Sequence, residues 1–146
     1  MNLTPVKTPL VIKKLFPNFI WDIPCNSKEI YLTFDDGPTP EITNWTLDIL
    51  KQYNAKATFF CIGKNVEKFP NIFQNIIKDD HAIGNHTYNH LKGWKTTTEN
   101  YLKDIQKAQS LFHSKLFRPP YGQITPKQGS AIIALGYDVI MWNVLS

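Results

Sequence analysis

The strongest constraint on the fold of this chain is an alternation of short apolar runs with stretches of helical periodicity. The runs rich in β-branched and aromatic residues, which we predict to be strands, lie at 29–34, 57–62, 81–84, 116–117 and 137–142. Between the first two, apolar residues recur at helical spacing, as in Ile42, Trp45 and Ile49. This order predicts a parallel sheet with helices outside it, although five strands are fewer than a closed barrel requires.

Several residues mark where the predicted helices begin and where a strand stops. Thr39 followed by Pro40 predicts an N-cap with proline at the first helical position. Thr96 and Glu99 have the spacing of a capping box, which predicts the start of a longer helix there. Gly63 is expected to stop the second strand.

The composition indicates one ordinary globular domain. The chain has 146 residues, of which 42% are hydrophobic and 19% charged, and its net charge is +4. Its basic residues are 15 scattered lysines and one arginine, so no basic stripe indicates nucleic-acid binding. The longest apolar run near the N-terminus, 9–12, is too short for a signal peptide or a membrane span, and by default we predict a cytoplasmic protein.

The two cysteines do not predict a disulfide framework. Cys25 and Cys61 are isolated in the sequence, and Cys61 lies inside the second predicted strand. We therefore predict that Cys61 is a buried small apolar side chain rather than a nucleophile.

Polar residues that could bind a metal or take part in catalysis follow the predicted strands. Asp35 and Asp36 follow the first strand, His86 and His90 the third, and Arg118 the fourth. In parallel α/β barrels the loops after the strands share one face, and that face carries the active site. Residues that are 50 to 100 positions apart in the sequence are therefore expected to converge.

The adjacent carboxylates and the two histidines are a candidate metal site. Two neighbouring carboxylates repel each other, and a bound divalent cation is a common reason for holding them together. His86 and His90 are four residues apart, which in a helical turn places both imidazoles on one side. Taken singly, the Asp-Asp-Gly-Pro stretch also fits a plain turn, and the histidines also fit a polar surface loop.

The two carboxylates are expected to differ in role, because adjacent residues at a strand end point in opposite directions. One would bind the metal and the other would face a water as general base. Arg118, the single arginine, would pair with Asp35 and keep it ionised and oriented. Trp142 at a strand end fits either a sugar-stacking wall or a core residue.

At this point three motifs resemble those of a known family. The segments 33–38 (TFDDGP), 86–90 (HTYNH) and 118–122 (RPPYG), in this order, are similar to the first three signature motifs of the polysaccharide deacetylases. These are the NodB-homology domains of carbohydrate esterase family 4, and 138–142 resembles the start of the fourth motif. The resemblance covers about 29–146, so we predict one partial domain over 1–146, with 1–28 as an N-terminal extension.

The resemblance implies a distorted (β/α) barrel that removes N- or O-acetyl groups from polysaccharides of the chitin, peptidoglycan or xylan type. Carried over by motif, the metal ligands would be Asp36, His86 and His90, with zinc as the expected ion and cobalt, nickel or iron as alternatives. Asp35 would be the general base and Arg118 would orient it. The resemblance further assigns three residues to substrate binding, Pro119, Tyr121 and Trp142, with the backbone N–H of Tyr121 at the oxyanion.

The sequence departs from the family pattern at its C-terminal end. The histidine that acts as general acid in the family is expected beyond Ser146, so we predict that the C-terminal strands of the barrel are missing. One alternative is therefore a truncated, non-catalytic remnant that binds metal or carbohydrate. Another is a non-haem iron oxygenase, which also uses two histidines and one carboxylate.

Overall fold

The computed structural model describes residues 7–24, 26 and 28–145 of the chain, and Cys25 lies outside the described residues. Five parallel strands form one sheet in the sequential order β1 to β5. Their bounds are Thr33–Gly37, Thr58–Cys61, Ala82–Asn85, Leu116–Phe117 and Asp138–Val139. The predicted α/β fold with five parallel strands is confirmed.

The first strand differs from its prediction in a way that matters for the site. β1 begins at Thr33 rather than at 29, and it includes the two aspartates that we had placed in a loop. The pairing of β1 with β2 shifts between Asp35 and Gly37, and Asp36 has a φ of 70°. This bulge adds one residue to β1 and turns the chain locally, so the two carboxylates point to different neighbours.

Helices connect the strands on the outside of the sheet. Their bounds are Leu10–Leu15 for α1, Ile42–Gln52 for α2, Gly63–Lys68 for α3, Pro70–Lys78 for α4, Thr98–Gln109 for α5 and Pro126–Ala134 for α6. Short 3₁₀ turns lie at Gly93–Lys95 and Pro120–Gly122. The sequence analysis missed α1 and α3, both of which are only six residues long.

Two of the predicted helix signals need correction, whereas the predicted end of β2 before Gly63 is confirmed. Gly63 is in addition the first residue of α3. Thr39 does not cap α2, which starts after Glu41 without a side-chain cap. The N-cap of α5 is Thr97, whose hydroxyl accepts from the amide of Asn100, so the Thr96 prediction was wrong by one residue.

The apolar core is divided into two clusters, one beside β2 and the other beside β4 and β5. One contains Phe59, Ile76 and the fully buried Cys61, as predicted for that thiol, whose pKa burial raises to about 12. The other contains Phe117 and Ile132, together with Phe19 from the N-terminal segment. Packing of helices against both regions leaves the loops after the strands free to form a site.

The N-terminal segment packs along the outer side of β5. Ile20 forms a parallel bridge with Ile140, and Lys7 forms an antiparallel bridge with Val144. A cleft with a volume of about 410 Å³ lies between β1 and the residues after β5, and it borders Thr33, Arg118 and Trp142. No helix among the described residues is long and apolar enough to cross a membrane.

A buried histidine at the opposite end of the sheet from the polar clusters predicts a pH dependence of stability. The Nδ1 atom of His81 accepts a hydrogen bond from the Ala57 amide at 3.3 Å, so this nitrogen is unprotonated. Burial, with a contribution from Lys56, lowers the pKa of His81 below its ordinary 6.5, although Asp79 and Asp80 act in the opposite direction. Below pH 6.5 the unfolded chain therefore binds more protons at this residue than the folded protein does.

We expect the free energy of unfolding to fall as the pH is lowered through this window, and His81→Asn to lose part of that dependence. Urea unfolding at several pH values would measure it, with His113→Asn, an exposed histidine, as the control. Equal pH dependence in His81→Asn and the wild type would contradict the assignment.

Candidate active site

Asp36 lies on the bulge of β1, and its carboxylate faces two imidazoles. Its Oδ1 atom lies 3.3 Å from Nε2 of His86 and 3.0 Å from Nε2 of His90. The left-handed backbone at Asp36 is supported by α3, where the side-chain amide of Asn65 donates to the Asp36 carbonyl at 2.8 Å. The side chain is therefore presented by a bulge that a helix holds in place.

His86 follows β3 and is buried, and one of its ring nitrogens forms a hydrogen bond outside the candidate metal site. Its Nδ1 atom lies 2.7 Å from the backbone carbonyl oxygen of Arg118. Because a carbonyl oxygen only accepts, Nδ1 carries the proton and donates it, which leaves the Nε2 lone pair directed at Asp36. A metal-binding histidine needs this tautomer, with its other ring nitrogen fixed by an acceptor.

His90 lies at the end of the loop that follows His86, and this loop does not form the helical turn in which a four-residue spacing would place both imidazoles on one side. Thr87 and His90 have φ values of 63° and 57°, so two residues of this segment have a left-handed backbone conformation that a helix does not contain. The Thr87 amide donates to Oδ1 of Asn85 at 2.9 Å, and the Asn85 amide group donates to the Ile105 carbonyl. Side-chain contacts, rather than helical hydrogen bonds, hold this loop.

Asp104 of α5 is the main anchor of this loop. Its Oδ2 accepts the backbone amides of Tyr88 at 2.8 Å and Asn89 at 2.9 Å, and its Oδ1 accepts the Asn89 side chain at 2.6 Å. Charge-assisted hydrogen bonds of this kind are stronger than neutral ones. The buried carboxylate thus fixes the segment between the two imidazoles.

The three ligand atoms fit a single divalent ion. The donor atoms of Asp36, His86 and His90 all lie within 4.8 Å of one another. As hydrogen-bond donors in their protonated form, the His86 and His90 imidazoles hold the pKa of the Asp36 carboxyl well below its ordinary 3.8. One ionised carboxylate and two imidazoles, with one tautomer already set, form a donor set that zinc and similar ions accept.

Asp35 points to the other side of the bulge and meets Arg118. The guanidinium Nη1 donates to Oδ1 of Asp35 at 2.8 Å, which is the predicted pairing, and also to the Thr33 hydroxyl at 2.7 Å. Arg118 is 3% exposed, whereas the Asp35 side chain is 32% exposed. The buried arginine therefore fixes the Asp35 carboxylate, and this carboxylate remains accessible to solvent.

Arg118 also joins the two outer strands of the sheet. Its Nε donates to the Ile140 carbonyl at 3.1 Å and its Nη2 to the Met141 carbonyl at 3.0 Å. Through its contact with Asp35, the same side chain reaches β1. Arg118 thus connects the residues after β5 with β1 through one buried side chain.

The three residues predicted to bind substrate differ in exposure. Pro119 is buried, Tyr121 is 54% exposed and Trp142 is half-buried. Tyr121 has a φ of 59°, its ring centroid lies 4.6 Å from that of His90, and its backbone N–H has no hydrogen-bond partner among the described residues. The indole of Trp142 lies against Gly122, where an added methyl group would come within 2.8 Å of it.

Sequence reasoning missed three supporting residues, Asn65, Thr33 and Asp104. Only Asp104 had a signal in the sequence, because it lies on the buried stripe of α5 with Tyr101 and Ile105. A charged residue on an apolar helix face requires a buried partner. The hydrogen bond that Asn65 donates depends on the bulge, and the one that Thr33 accepts depends on the position of Arg118, which the sequence does not show.

Replacing Asp104 is expected to weaken metal binding without touching a ligand. In Asp104→Asn, the new NH₂ group would face the NH₂ group of the Asn89 side chain, so that two donors would meet. The loop between His86 and His90 would also lose its charged acceptor. We expect the dissociation constant for Zn²⁺ to rise about 10- to 100-fold, as for other partners of metal-binding side chains. Competition with a coloured chelator would measure it, with Glu99→Gln, exposed on the same helix, as the control. An unchanged dissociation constant would show that the loop holds its shape without Asp104.

The fold and the site together define an α/β protein with a candidate divalent-metal site at the carboxyl ends of its strands. Residues 22–140 match the polysaccharide deacetylase family model. The chain therefore belongs to the polysaccharide deacetylase family, as the three motifs predicted.

Relatives with known structures or curated names agree with this assignment. A peptidoglycan-N-acetylglucosamine deacetylase of Bacillus cereus is 42% identical over 127 residues, which are 83% of this chain and 46% of that protein. The crystal structure of the Bc1960 peptidoglycan N-acetylglucosamine deacetylase superposes with a TM-score of 0.82 at 40% identity, covering 86% of this chain and 61% of that one. A family 4 carbohydrate esterase from Streptomyces lividans, in complex with acetate, gives a TM-score of 0.74 at 28% identity, over 82% of this chain and 64% of that one. The chain thus spans about half to two thirds of the length of these relatives.

Proposed function

We propose that this protein is a metal-dependent hydrolase that removes acetyl groups from N-acetylated polysaccharide of the peptidoglycan or chitin type. The observation that carries the proposal is that the bulge of β1 directs its two adjacent carboxylates to different partners. Asp36 faces the two imidazoles, while Asp35 is held separately by Arg118. The names of the relatives, which are deacetylases of N-acetylglucosamine in peptidoglycan, favour an N-acetyl over an O-acetyl substrate.

In this proposal Asp36, His86 and His90 hold the divalent ion, with zinc first and cobalt, nickel or iron as alternatives. When bound, such an ion polarises a carbonyl group and lowers the pKa of a water. Because Nδ1 of His86 donates its proton to the Arg118 carbonyl, the lone pair of Nε2 stays available to bind the ion. The Asp104 contacts keep His90 beside it.

Asp35 is the proposed general base. Its carboxylate is partly exposed and lies next to the candidate ligand Asp36, so it can accept a proton from a water that attacks the acetyl carbonyl. The 2.8 Å contact from Nη1 of Arg118, whose side chain is itself fixed by Ile140 and Met141, orients the carboxylate.

The Tyr121 backbone N–H is the proposed donor to the oxyanion. It lies in the turn after two prolines, and Tyr121 packs against His90, so this amide is held close to the candidate ligands. A donor that is preorganised where negative charge develops stabilises the transition state of acyl transfer.

A second candidate is a non-catalytic protein that binds metal or carbohydrate. Only four histidines are present, and the two outside the site are His81, at the opposite end of β3, and the exposed His113. Neither lies where it could protonate a leaving amine at the candidate site. The iron oxygenase alternative receives no support, because the chain belongs to the deacetylase family.

Acetate release separates the two candidates. The protein would be loaded with Zn²⁺ or Co²⁺ and incubated with acetylated chito-oligosaccharides, peptidoglycan glycan strands or acetylated xylan. Release from the N-acetylated glycans, dependent on Asp35, would support the hydrolase. Stoichiometric metal binding with no release from any of the three substrates would support the binding protein instead.

A further inference from the structure

An exposed tryptophan lies close to the candidate active site, on the segment that follows His90. Trp94 is 67% exposed, whereas tryptophan is usually among the more buried residues. It lies four residues after His90, so the two backbones are separated by at most about 14 Å. No core contact accounts for its indole, because Trp94 belongs to neither of the two apolar clusters of described residues.

The backbone that carries Trp94 is held rigidly against the loop after Tyr121. A methyl group on Gly93 would lie 2.1 Å from the Gln123 carbonyl oxygen, so only glycine allows this approach. The buried side chain of Gln128 donates to the carbonyls of Gly93 at 2.9 Å and Thr96 at 3.0 Å. The indole is fixed as well, because its N–H donates to the Ile124 carbonyl at 3.2 Å.

A rigid and exposed aromatic ring is well suited to binding, because little conformational entropy is lost when a ligand covers it. Its N–H is already bonded to the protein, so the free part of the side chain is the apolar ring. Such a surface matches the C–H face of a pyranose ring. A flexible tryptophan on the surface would not provide this preorganised face.

A positive charge, that of Lys92, lies on the aromatic ring next to the candidate ligand His90. The Nζ atom of Lys92 is 4.7 Å from the ring centroid of Tyr121, and that ring packs on His90. Within residues 28–145 no carboxylate forms an ion pair with Lys92. Lys92 therefore places a cation, unpaired among the described residues, on the exposed ring that packs on His90, two positions before Trp94 in the chain.

We propose that Trp94 and Lys92 form a sugar-binding subsite next to the acetylated residue. Trp94 stacks on a pyranose ring of the same polymer, and Lys92 binds a carboxylate carried by a sugar beside it. The subsite therefore selects a glycan with acidic sugars over a neutral one. This inference rests on the proposed deacetylase function for the position of the reacting sugar, and the binding test does not require turnover.

The test compares two tetrasaccharides, neutral chitotetraose and a peptidoglycan-derived tetrasaccharide with alternating N-acetylmuramic acid, whose lactyl groups carry carboxylates. Calorimetry on the full chain would give dissociation constants for the wild type, Trp94→Ala, Trp94→Phe and Lys92→Met. We expect Trp94→Ala to weaken the binding of both glycans about 10-fold or more, and Trp94→Phe to retain most of it. We expect Lys92→Met to weaken only the acidic glycan, by about 3- to 5-fold.

Matched controls are available on this chain. Tyr53→Ala removes an exposed ring at the far end of α2, and Lys95→Met removes a lysine from the same 3₁₀ turn as Trp94. Both should bind as the wild type does, and thermal unfolding would show that all variants are folded. Wild-type affinity in Trp94→Ala, or equal loss of both glycans in Lys92→Met, would overturn the proposal. Acetate release is measured separately, so its absence would reject the hydrolase while the binding constants still decide the subsite.

Discussion

The Asp35→Asn variant is expected to lose acetate release by about 10²- to 10⁴-fold while it keeps its metal, because this carboxylate is the proposed proton acceptor. Asparagine retains an oxygen that accepts from Arg118, so the local hydrogen bonds are largely preserved. The amide cannot take a proton from water near neutral pH. Initial rates on N-acetylated chito-oligosaccharides, together with metal content from elemental analysis, would measure both quantities.

Two further variants make the Asp35 result specific. Asp36→Asn should lose metal and activity together, since its carboxylate is one of the three ligand groups. Asp48→Asn, on the exposed side of α2, should change neither. If Asp35→Asn instead lost its metal as Asp36→Asn does, Asp35 would be a ligand and the division of roles at the bulge would be wrong.

The Arg118→Lys variant is expected to combine a loss of activity with a large loss of stability. Lysine keeps the charge but cannot reach Asp35, Ile140 and Met141 at once, as the planar guanidinium does. Buried carbonyl acceptors would lose their partners, at about 1–3 kcal/mol for each group. We expect the free energy of unfolding to fall by about 2–4 kcal/mol, measured by urea denaturation of the metal-loaded protein.

An exposed ion pair provides the comparison for Arg118. Lys103 and Glu99 form a shorter contact, at 2.6 Å, on the surface of α5, and both side chains are largely exposed. Lys103→Met should lower the free energy of unfolding by less than about 1 kcal/mol, because water screens such pairs. If Arg118→Lys were no more destabilising than Lys103→Met, Arg118 would not connect β1 to the end of β5.

The sequence predicted much of the fold because the relevant signals are local. Strand runs, helical periodicity and the motifs after the strands can be recognised from neighbouring residues, and they placed Asp36, His86 and His90 at one edge of the sheet. Predictions failed where a local signal competed with packing. Thr97 caps α5 in place of Thr96, and β1 continues through the aspartates where Asp, Gly and Pro indicated a turn.

The site shows the same distinction at the level of single residues. The sequence by itself determined which side chains could bind a metal and that Arg118 was the arginine to pair with Asp35. Only the tertiary structure showed that a bulge at Asp36 separates the two carboxylates, that Asp104 fixes the loop between the histidines, and that Trp94 is left exposed beside them. The physical reason is that a ligand's identity is a property of one residue, whereas its orientation depends on hydrogen bonds from residues far away in the chain.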